Sequence, residues 1–276
     1  MKQSESRKRS EPEREAQLKG GLTLNNLPLA RIAHELRAPL NRINGFLDLL
    51  LAEEEVIDGT APEHERSQPT QETRDYLQRV RASSEQLYVS LENLLCLLRA
   101  ASGQLRLSSE SLALDELIDS ALEELEYTAR LRRLRIEKHL PQDLPAHCRH
   151  LQSDSQRARQ ILRNVLANAL LYTPAGGQIE IGATAATLPT GLPAVTLSIS
   201  DAGVGIRPEV LSHVFEPFYR GEPPAGSEEL LEGSSTGLGL GLSIARLLVE
   251  LLGGTIAIQS APGAGTTVRI TLPTLV

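Results

Sequence analysis

His34 is followed at once by Glu35 in the segment Arg31-Ile-Ala-His-Glu-Leu-Arg-Ala-Pro-Leu-Asn-Arg-Ile43, with Pro39 five residues beyond the histidine. An imidazole held in solvent beside a carboxylate can have its ring oriented and its proton taken up, which makes a nitrogen nucleophile. Pro39 cannot donate the helical hydrogen bond to the Glu35 carbonyl, so it loosens the helix beside the histidine. Three further groups have the character of a nucleotide site. Asn164 and Asn168 stand four apart, so on a helix their amide oxygens share a face and can converge on a hard cation such as Mg²⁺. In Asp201-Ala-Gly-Val-Gly-Ile206 a carboxylate emerges at a strand end, where it can accept from an exocyclic amine, and Gly203 and Gly205 let the backbone approach a ligand. Gly237, Gly239 and Gly241 alternate where a helix opens, and the free amides and dipole of that helix can receive phosphates. This run is not a GxxxxGK[ST] loop, since it has no Lys at its end, nor a dinucleotide fingerprint placed after a first strand. Each piece alone has an ordinary counterpart: a solvated helix face, a pair of surface amides, a hairpin turn.

The elements that must position these residues fall into two sets. The first helix begins near Leu22 to Pro28 and runs to about Glu55, with an apolar seam at Leu36, Leu40, Ile43, Leu47 and Leu50 that turns His34, Glu35 and Ala38 outward. A connector from Asp58 to Pro69 leads to a second helix whose seam is Leu77, Val80, Ser84, Leu87, Leu91, Leu94 and Leu98. Two helices in a hairpin cannot bury both stripes, and a second copy completing a four-helix bundle is the simplest remedy. A purely structural coiled coil would show the same pattern. After Ala101 to Gly103 the texture changes. Strands are predicted at Leu105 to Leu107, Leu134 to Leu140, Ile179 to Ala183, Val195 to Ser200, Thr255 to Ser260 and Thr266 to Leu272. Helices are predicted at Leu114 to Arg133, Ser155 to Leu171, Pro208 to Val214 and Leu240 to Leu252, with a Gly-, Pro- and Ser-rich loop from Gly221 to Thr236. This alternation predicts an α/β sandwich with one sheet face covered. The division is therefore a polar, disordered leader at 1–21, a helical hairpin at 22–102 and an α/β domain at 103–276.

Composition narrows the classes of function. A net charge of −7 and the lack of a basic stripe argue against nucleic acid as a partner. With 3% aromatics and no Trp, base stacking is a poor prospect and the cores must be aliphatic. Cys96 and Cys148 are too few and too distant for a disulfide framework or a zinc site. No apolar run reaches the roughly 18 residues of a membrane span, and no signal-peptide core opens the chain, so a cytoplasmic protein is expected.

Read together, the segments resemble the boxes of two-component sensor histidine kinases. His-Glu-Leu-Arg-Ala-Pro-Leu40 resembles the H box, Gln160 to Pro174 the N box, Asp201 to Ile206 the G1 box, Phe215 to Gly221 the F box, and Gly237 to Ile244 the G2 box, all in family order. The resemblance implies a dimerisation and phosphoacceptor hairpin followed by a GHKL-type ATP-binding domain, shared with DNA gyrase, Hsp90 and MutL. It implies that His34 attacks the γ-phosphate of ATP while Glu35 orients its ring and accepts its other proton. Asn168 with Asn164 would hold Mg²⁺, and Tyr172 of the same box would join the nucleotide contacts. Asp201 would bind the adenine amine, with Gly203 and Gly205 shaping the pocket. Gly237, Gly239 and Gly241 would line the phosphate channel under a lid from Gly221 to Thr236. The phosphoryl group would then pass to an aspartate on a response regulator receiver domain.

Two positions depart from the family pattern. Leu171 stands where a basic residue is usual, so one cation facing the phosphates is missing, and Arg220 is expected to compensate. Ala38 stands where Thr or Asn is usual, which implies weak phosphatase activity beside retained kinase activity. A second class of reading keeps the dimer but not the chemistry: a catalytically weak or inactive kinase-like scaffold, for which Leu171 speaks. A gyrase-like ATPase, with His34 idle, is the third.

Overall fold

A computed structural model of the chain describes residues 28–60, 70–221 and 237–274, with 51–60 and 72 described by their backbone alone. The expected leader, the first helical residues before Pro28, most of the connector and all but the first residue of the lid lie outside the described residues. Helix α1 (Leu29–Thr60) runs through Pro39 and past the predicted stop, taking in Asp58, Gly59 and Thr60. Helix α2 (Gln71–Ala101) starts on Thr70, whose hydroxyl accepts from the Thr73 amide at 3.0 Å. The two lie antiparallel: Arg42 donates to Gln86 at 2.8 Å, and the Phe46 ring stacks on Tyr76 with centroids 6.0 Å apart.

The single apolar seam read from α1 divides in two. Ile32 and Pro39 are buried, and Leu36, Ile43 and Leu50 are half-buried, while Leu40 and Leu47 stay exposed. Leu77, Leu91 and Leu95 are likewise exposed on α2. A heptad pattern merges a stripe used within the hairpin with a neighbouring one the chain leaves uncovered.

The second unit follows as β1 (Glu110–Ala113), α3 (Leu114–Glu123), α4 (Glu126–Leu131), β2 (Arg135–His139), a 3₁₀ turn (Ala146–Arg149), β3 (His150–Ser153) and α5 (Ser155–Tyr172). Then come β4 (Gln178–Thr187), β5 (Pro193–Asp201), α6 (Pro208–Leu211), α7 (Gly241–Leu251), β6 (Thr255–Ser260) and β7 (Thr266–Pro273). Five strands form one sheet in the order β2-β4-β5-β7-β6, antiparallel except for the parallel β2–β4 pair, and β1 pairs with β3 separately. Two expectations are corrected. Leu105 to Leu107 is not a strand; the strand lies at Glu110–Ala113, where β3 supplies the ladder, although Leu105 does pack on the core. The helix expected at Leu114 to Arg133 breaks into α3 and α4 at Glu124–Leu125, where the Leu125 amide turns back to the Leu122 carbonyl.

One sheet face carries Ile179, Ile181, Leu197, Ile199, Val268 and Ile270, all buried, and α5 and α7 close over it with Ile161, Leu166, Ile244 and Leu248. Burying each such side chain contributes about 1.5–3 kcal/mol. The other face pairs hydroxyls, Thr196 with Thr271 at 2.8 Å and Ser200 with Thr267 at 2.9 Å, as a sheet with one covered face requires. Asp154 starts α5, its carboxylate accepting from the Arg157 amide at 2.9 Å and from the Ser108 amide at 2.9 Å. This fixes the helix that carries both asparagines. The hairpin is packed on the same core, to which it contributes Ile32, Cys96 and Leu97.

Candidate functional site

A cavity of about 150 Å³ opens between the C-terminal half of α5, the end of β5 and the start of α7. Val165, Ile199, Ile258 and Val268 give it apolar walls, and Asp201, Asn168 and Arg220 are its main polar groups. Asp201 is the last residue of β5, as its position after the β-branched run predicts. Its Oδ1 accepts from the Gly203 amide at 2.9 Å and the Thr266 amide at 3.1 Å. Burial pushes this carboxyl above the ordinary carboxylate range, and those two N–H donors oppose the shift without cancelling it. Its second oxygen has no hydrogen bond among the described residues. A half-buried acceptor among apolar walls suits a flat heterocycle that presents an amine.

The glycines are there for space. A Cβ on Gly203 would lie 2.5 Å from Asp201 Oδ1 and 2.7 Å from the Tyr172 carbonyl oxygen, and one on Gly205 would lie 1.9 Å from the Ala261 oxygen. Gly239, at φ +70°, would put a Cβ 2.6 Å from the Tyr219 oxygen. Gly237 adopts the same left-handed conformation in open space, and Gly241 is the first residue of α7. No side chain caps α7, so its first amides are left for a ligand, and they open beside Asn168, whose Nδ2 would lie 3.8 Å from a Cβ on Gly241. Among the described residues no three His, Cys, Asp or Glu side chains gather as a metal cluster. A hard cation bound here would therefore rest on amide oxygen and on the ligand's own phosphates, the habit of Mg²⁺.

The two asparagines are used differently: both line a larger cleft of about 990 Å³ beside the hairpin, with Gly237, Gly239 and Gly241, but only Asn168 also lines the smaller cavity. Asn168 stands at the mouth of the cavity, but Asn164, one turn earlier, is 2% exposed and pairs both ends of its amide with Asn93 of α2. Tyr172 lines the cavity and uses its carbonyl to hold the Val204 amide at 3.2 Å. His34 is exposed and has no hydrogen-bond partner among the described residues. Glu35 is not the outward, solvated neighbour expected. Its side chain is 14% exposed, and Oε1 accepts from Arg220 Nη1 at 2.9 Å. Adjacent helical positions point about 100° apart, so Glu35 and His34 need not share a partner. Ala38 is half-buried rather than outward. One turn before Glu35, Arg31 donates to the Phe218 carbonyl at 2.6 Å, and Phe218 holds a strained φ of 63°. Arg31 and Asn93 were not singled out in the sequence. Asn93 betrays itself only as a polar residue in register with buried Ser83 and Leu97 on α2.

Two family models match the chain. Residues 26–103 match the His Kinase A (phospho-acceptor) domain, and residues 153–276 match the histidine kinase-, DNA gyrase B- and HSP90-like ATPase domain. The chain is 30% identical over 245 residues to the non-motile and phage-resistance protein of Caulobacter vibrioides, covering 89% of this chain and 26% of that protein. It is 32% identical over 251 residues to the histidine protein kinase DivJ of the same organism, covering 90% of this chain and 37% of that one. The chain thus spans well under half the length of these curated relatives. The fold is shared with the Acinetobacter baumannii histidine kinase AdeS, at a TM-score of 0.54 and 24% identity, over 87% of this chain and 97% of that chain. With a match to the His Kinase A (phospho-acceptor) domain over the hairpin, a match to the ATPase domain of the gyrase and HSP90 type, and the N, G1, F and G2 segments placed around one cavity to whose edge Arg31 and Glu35 bind, the chain belongs to the two-component sensor histidine kinases.

Proposed function

We propose that this chain phosphorylates its own His34 from Mg-ATP and passes the phosphoryl group to an aspartate of a response regulator receiver domain. The observation that carries this reading is the clasp between the acceptor helix and the nucleotide cavity. Arg31 and Glu35, on one face of α1, hold Phe218 and Arg220, and Tyr219, Arg220 and Gly221 wall the cavity. The turn bearing His34 is thereby tied to the edge of the ATP site. In the reaction a ring nitrogen of His34 forms a bond to the γ-phosphorus and the bond to the β-phosphate oxygen breaks, releasing ADP. The ring loses its other proton, for which Glu35 is the nearest carboxylate in sequence, once Arg220 turns from it. Asp201 takes the adenine amine, the α7 amides and Gly237 to Gly241 receive the phosphates, and Asn168 offers an oxygen to magnesium. That ion would neutralise charge developing on the transferred group.

The test is incubation with γ-labelled ATP and Mg²⁺, and the expected product is protein-bound label that is acid-labile and stable to base. A folded, ATP-binding sample that takes up no label would favour the scaffold reading. The Arg220 guanidinium rests on Glu35 at the cavity wall, so it faces the phosphates in place of the cation missing at Leu171 only once it turns from that carboxylate. Arg220→Ala should therefore slow autophosphorylation by about 10- to 100-fold, through mispositioning of the acceptor turn and loss of a cation from the cavity wall. An unchanged labelling rate would remove Arg220 from the mechanism.

The exposed stripe of Leu40, Leu47, Leu77, Leu91 and Leu95 supports assembly with a second copy of this chain into a four-helix bundle. Leu91→Glu combined with Leu47→Glu should halve the mass seen in sedimentation velocity. A wild-type chain that sediments as a monomer at micromolar concentration would contradict the dimer.

A further inference from the structure

We propose that Asn93 is a positioning residue of the metal-nucleotide site, acting through Asn164: while the hairpin is docked, it holds the Asn164 oxygen away from the phosphates. This rests on the reading above that an N-box amide oxygen binds magnesium. The contact is a closed exchange. Asn93 Nδ2 donates to Asn164 Oδ1 at 3.1 Å, Asn164 Nδ2 donates back to Asn93 Oδ1 at 3.1 Å, and Gln160 Nε2 donates to the same Asn93 Oδ1 at 3.1 Å. Gln160 is itself held by Arg157 at 3.0 Å. All three amides are buried, at 5%, 2% and 3% exposure for Asn93, Asn164 and Gln160. The three residues lie at the wall of the larger cleft, and at such low exposure breaking one bond leaves buried amide groups unpaired, so the bonds of the network are coupled.

The consequence follows from one oxygen with two claimants. Asn168 remains at the cavity mouth, but Asn164 can join it on a cation only if Asn93 lets go, which requires α2 to move from α5. Docking of the hairpin and a two-asparagine magnesium site then exclude each other, and the exclusion is reciprocal: metal-nucleotide loosens the hairpin, and loosening the hairpin tightens metal-nucleotide. Three net hydrogen bonds of ordinary strength are enough to shift such an equilibrium by about tenfold or more.

The test uses the full chain with ADP as the probe, titrated by calorimetry with and without MgCl₂. The ratio of the two affinities is the quantity of interest, because a lock with a merely structural role would change both equally. Asn93→Ala is expected to raise that ratio about tenfold. Asn93→Asp keeps an acceptor for Asn164 Nδ2 and Gln160 Nε2 but cannot donate to Asn164 Oδ1. It should raise the ratio as well, with α2 still protected in hydrogen exchange, and it carries the test if the alanine variant fails to fold. An unchanged ratio in the folded variants, alongside a ratio lowered by Asn168→Ala, overturns the role of Asn93 alone. If wild type shows no magnesium-dependent gain and Asn168→Ala changes nothing, the magnesium reading fails and this inference falls with it.

Discussion

His34→Gln is expected to abolish incorporation of acid-labile label from ATP, a loss of at least about a thousandfold, while ADP affinity and melting temperature stay at their wild-type values. The reasoning begins with what glutamine retains. It is a good helix former, it is polar, and at an exposed position with no partner its introduction should change stability by less than about 0.5 kcal/mol. What it lacks is a nitrogen lone pair able to form a bond to phosphorus, since an amide nitrogen is conjugated with its carbonyl. His34 lies outside the cavity walls, so nucleotide binding has no reason to change. The nearest rival is His213, which sits in the segment after α6 and close to the F-box turn, with its Nδ1 2.7 Å from Glu216. That ring belongs to the nucleotide domain itself. Label that persists in His34→Gln and disappears in His213→Gln would overturn the assignment of the acceptor.

The sequence was legible where the chemistry is local. Asp201 ends its strand, and Gly205, Gly237 and Gly239 take positive φ as glycines at turns can, although the tight contacts that require Gly203, Gly205 and Gly239 come from Tyr172, Ala261 and Tyr219, distant in the chain. The covered sheet face was legible as well, from the alternation in Ile179 to Ala183 and Val195 to Ser200. What could not be read depends on partners distant in the chain. Asn164 and Asn168 share a helix face as i and i+4 residues must, and both line the cleft beside the hairpin, yet only Asn168 also lines the smaller cavity, while Asn93 arrives from 71 residues away to pair with Asn164. Glu35 reads as a solvated neighbour of His34 until the F-box turn, 185 residues later, places Arg220 on it. Leu40 and Leu47 read as one seam with Leu36 and Ile43, since periodicity reports which residues are apolar and not which of two stripes the chain itself can cover. Glu110–Ala113 has no alternation to announce a strand and is made one by pairing with His150–Ser153.

Asp201→Asn is expected to reduce ATP affinity about 10- to 100-fold in a protein as stable as the wild type or slightly more so. Asparagine can keep the local frame, because its Oδ1 still accepts from the Gly203 and Thr266 amides that hold the turn. The atom replacing the second carboxylate oxygen is an amide nitrogen, a donor set against the exocyclic amine of adenine, also a donor. A hydrogen bond becomes a mismatch in a partly buried site, and a penalty of about 1–3 kcal/mol corresponds to that loss of affinity. Stability should move the other way. Burial holds the Asp201 carboxyl above its unfolded pKa, so the folded state binds its proton more tightly than the unfolded chain, and the ionised form costs stability as pH rises through the folded pKa. Neutral asparagine removes that cost, and its melting temperature at pH 7 should equal or exceed that of the wild type. The same shift gives wild-type ATP binding its pH dependence. On acidification the carboxyl protonates at a pH where an exposed aspartate is still charged, so affinity should fall there in the wild type and stay flat in Asp201→Asn. Guanine presents a carbonyl where adenine presents its amine, so the preference for ATP over GTP should narrow in the variant. Unaltered ATP affinity and an unaltered ATP-to-GTP ratio in folded Asp201→Asn would show that this carboxylate does not read the base.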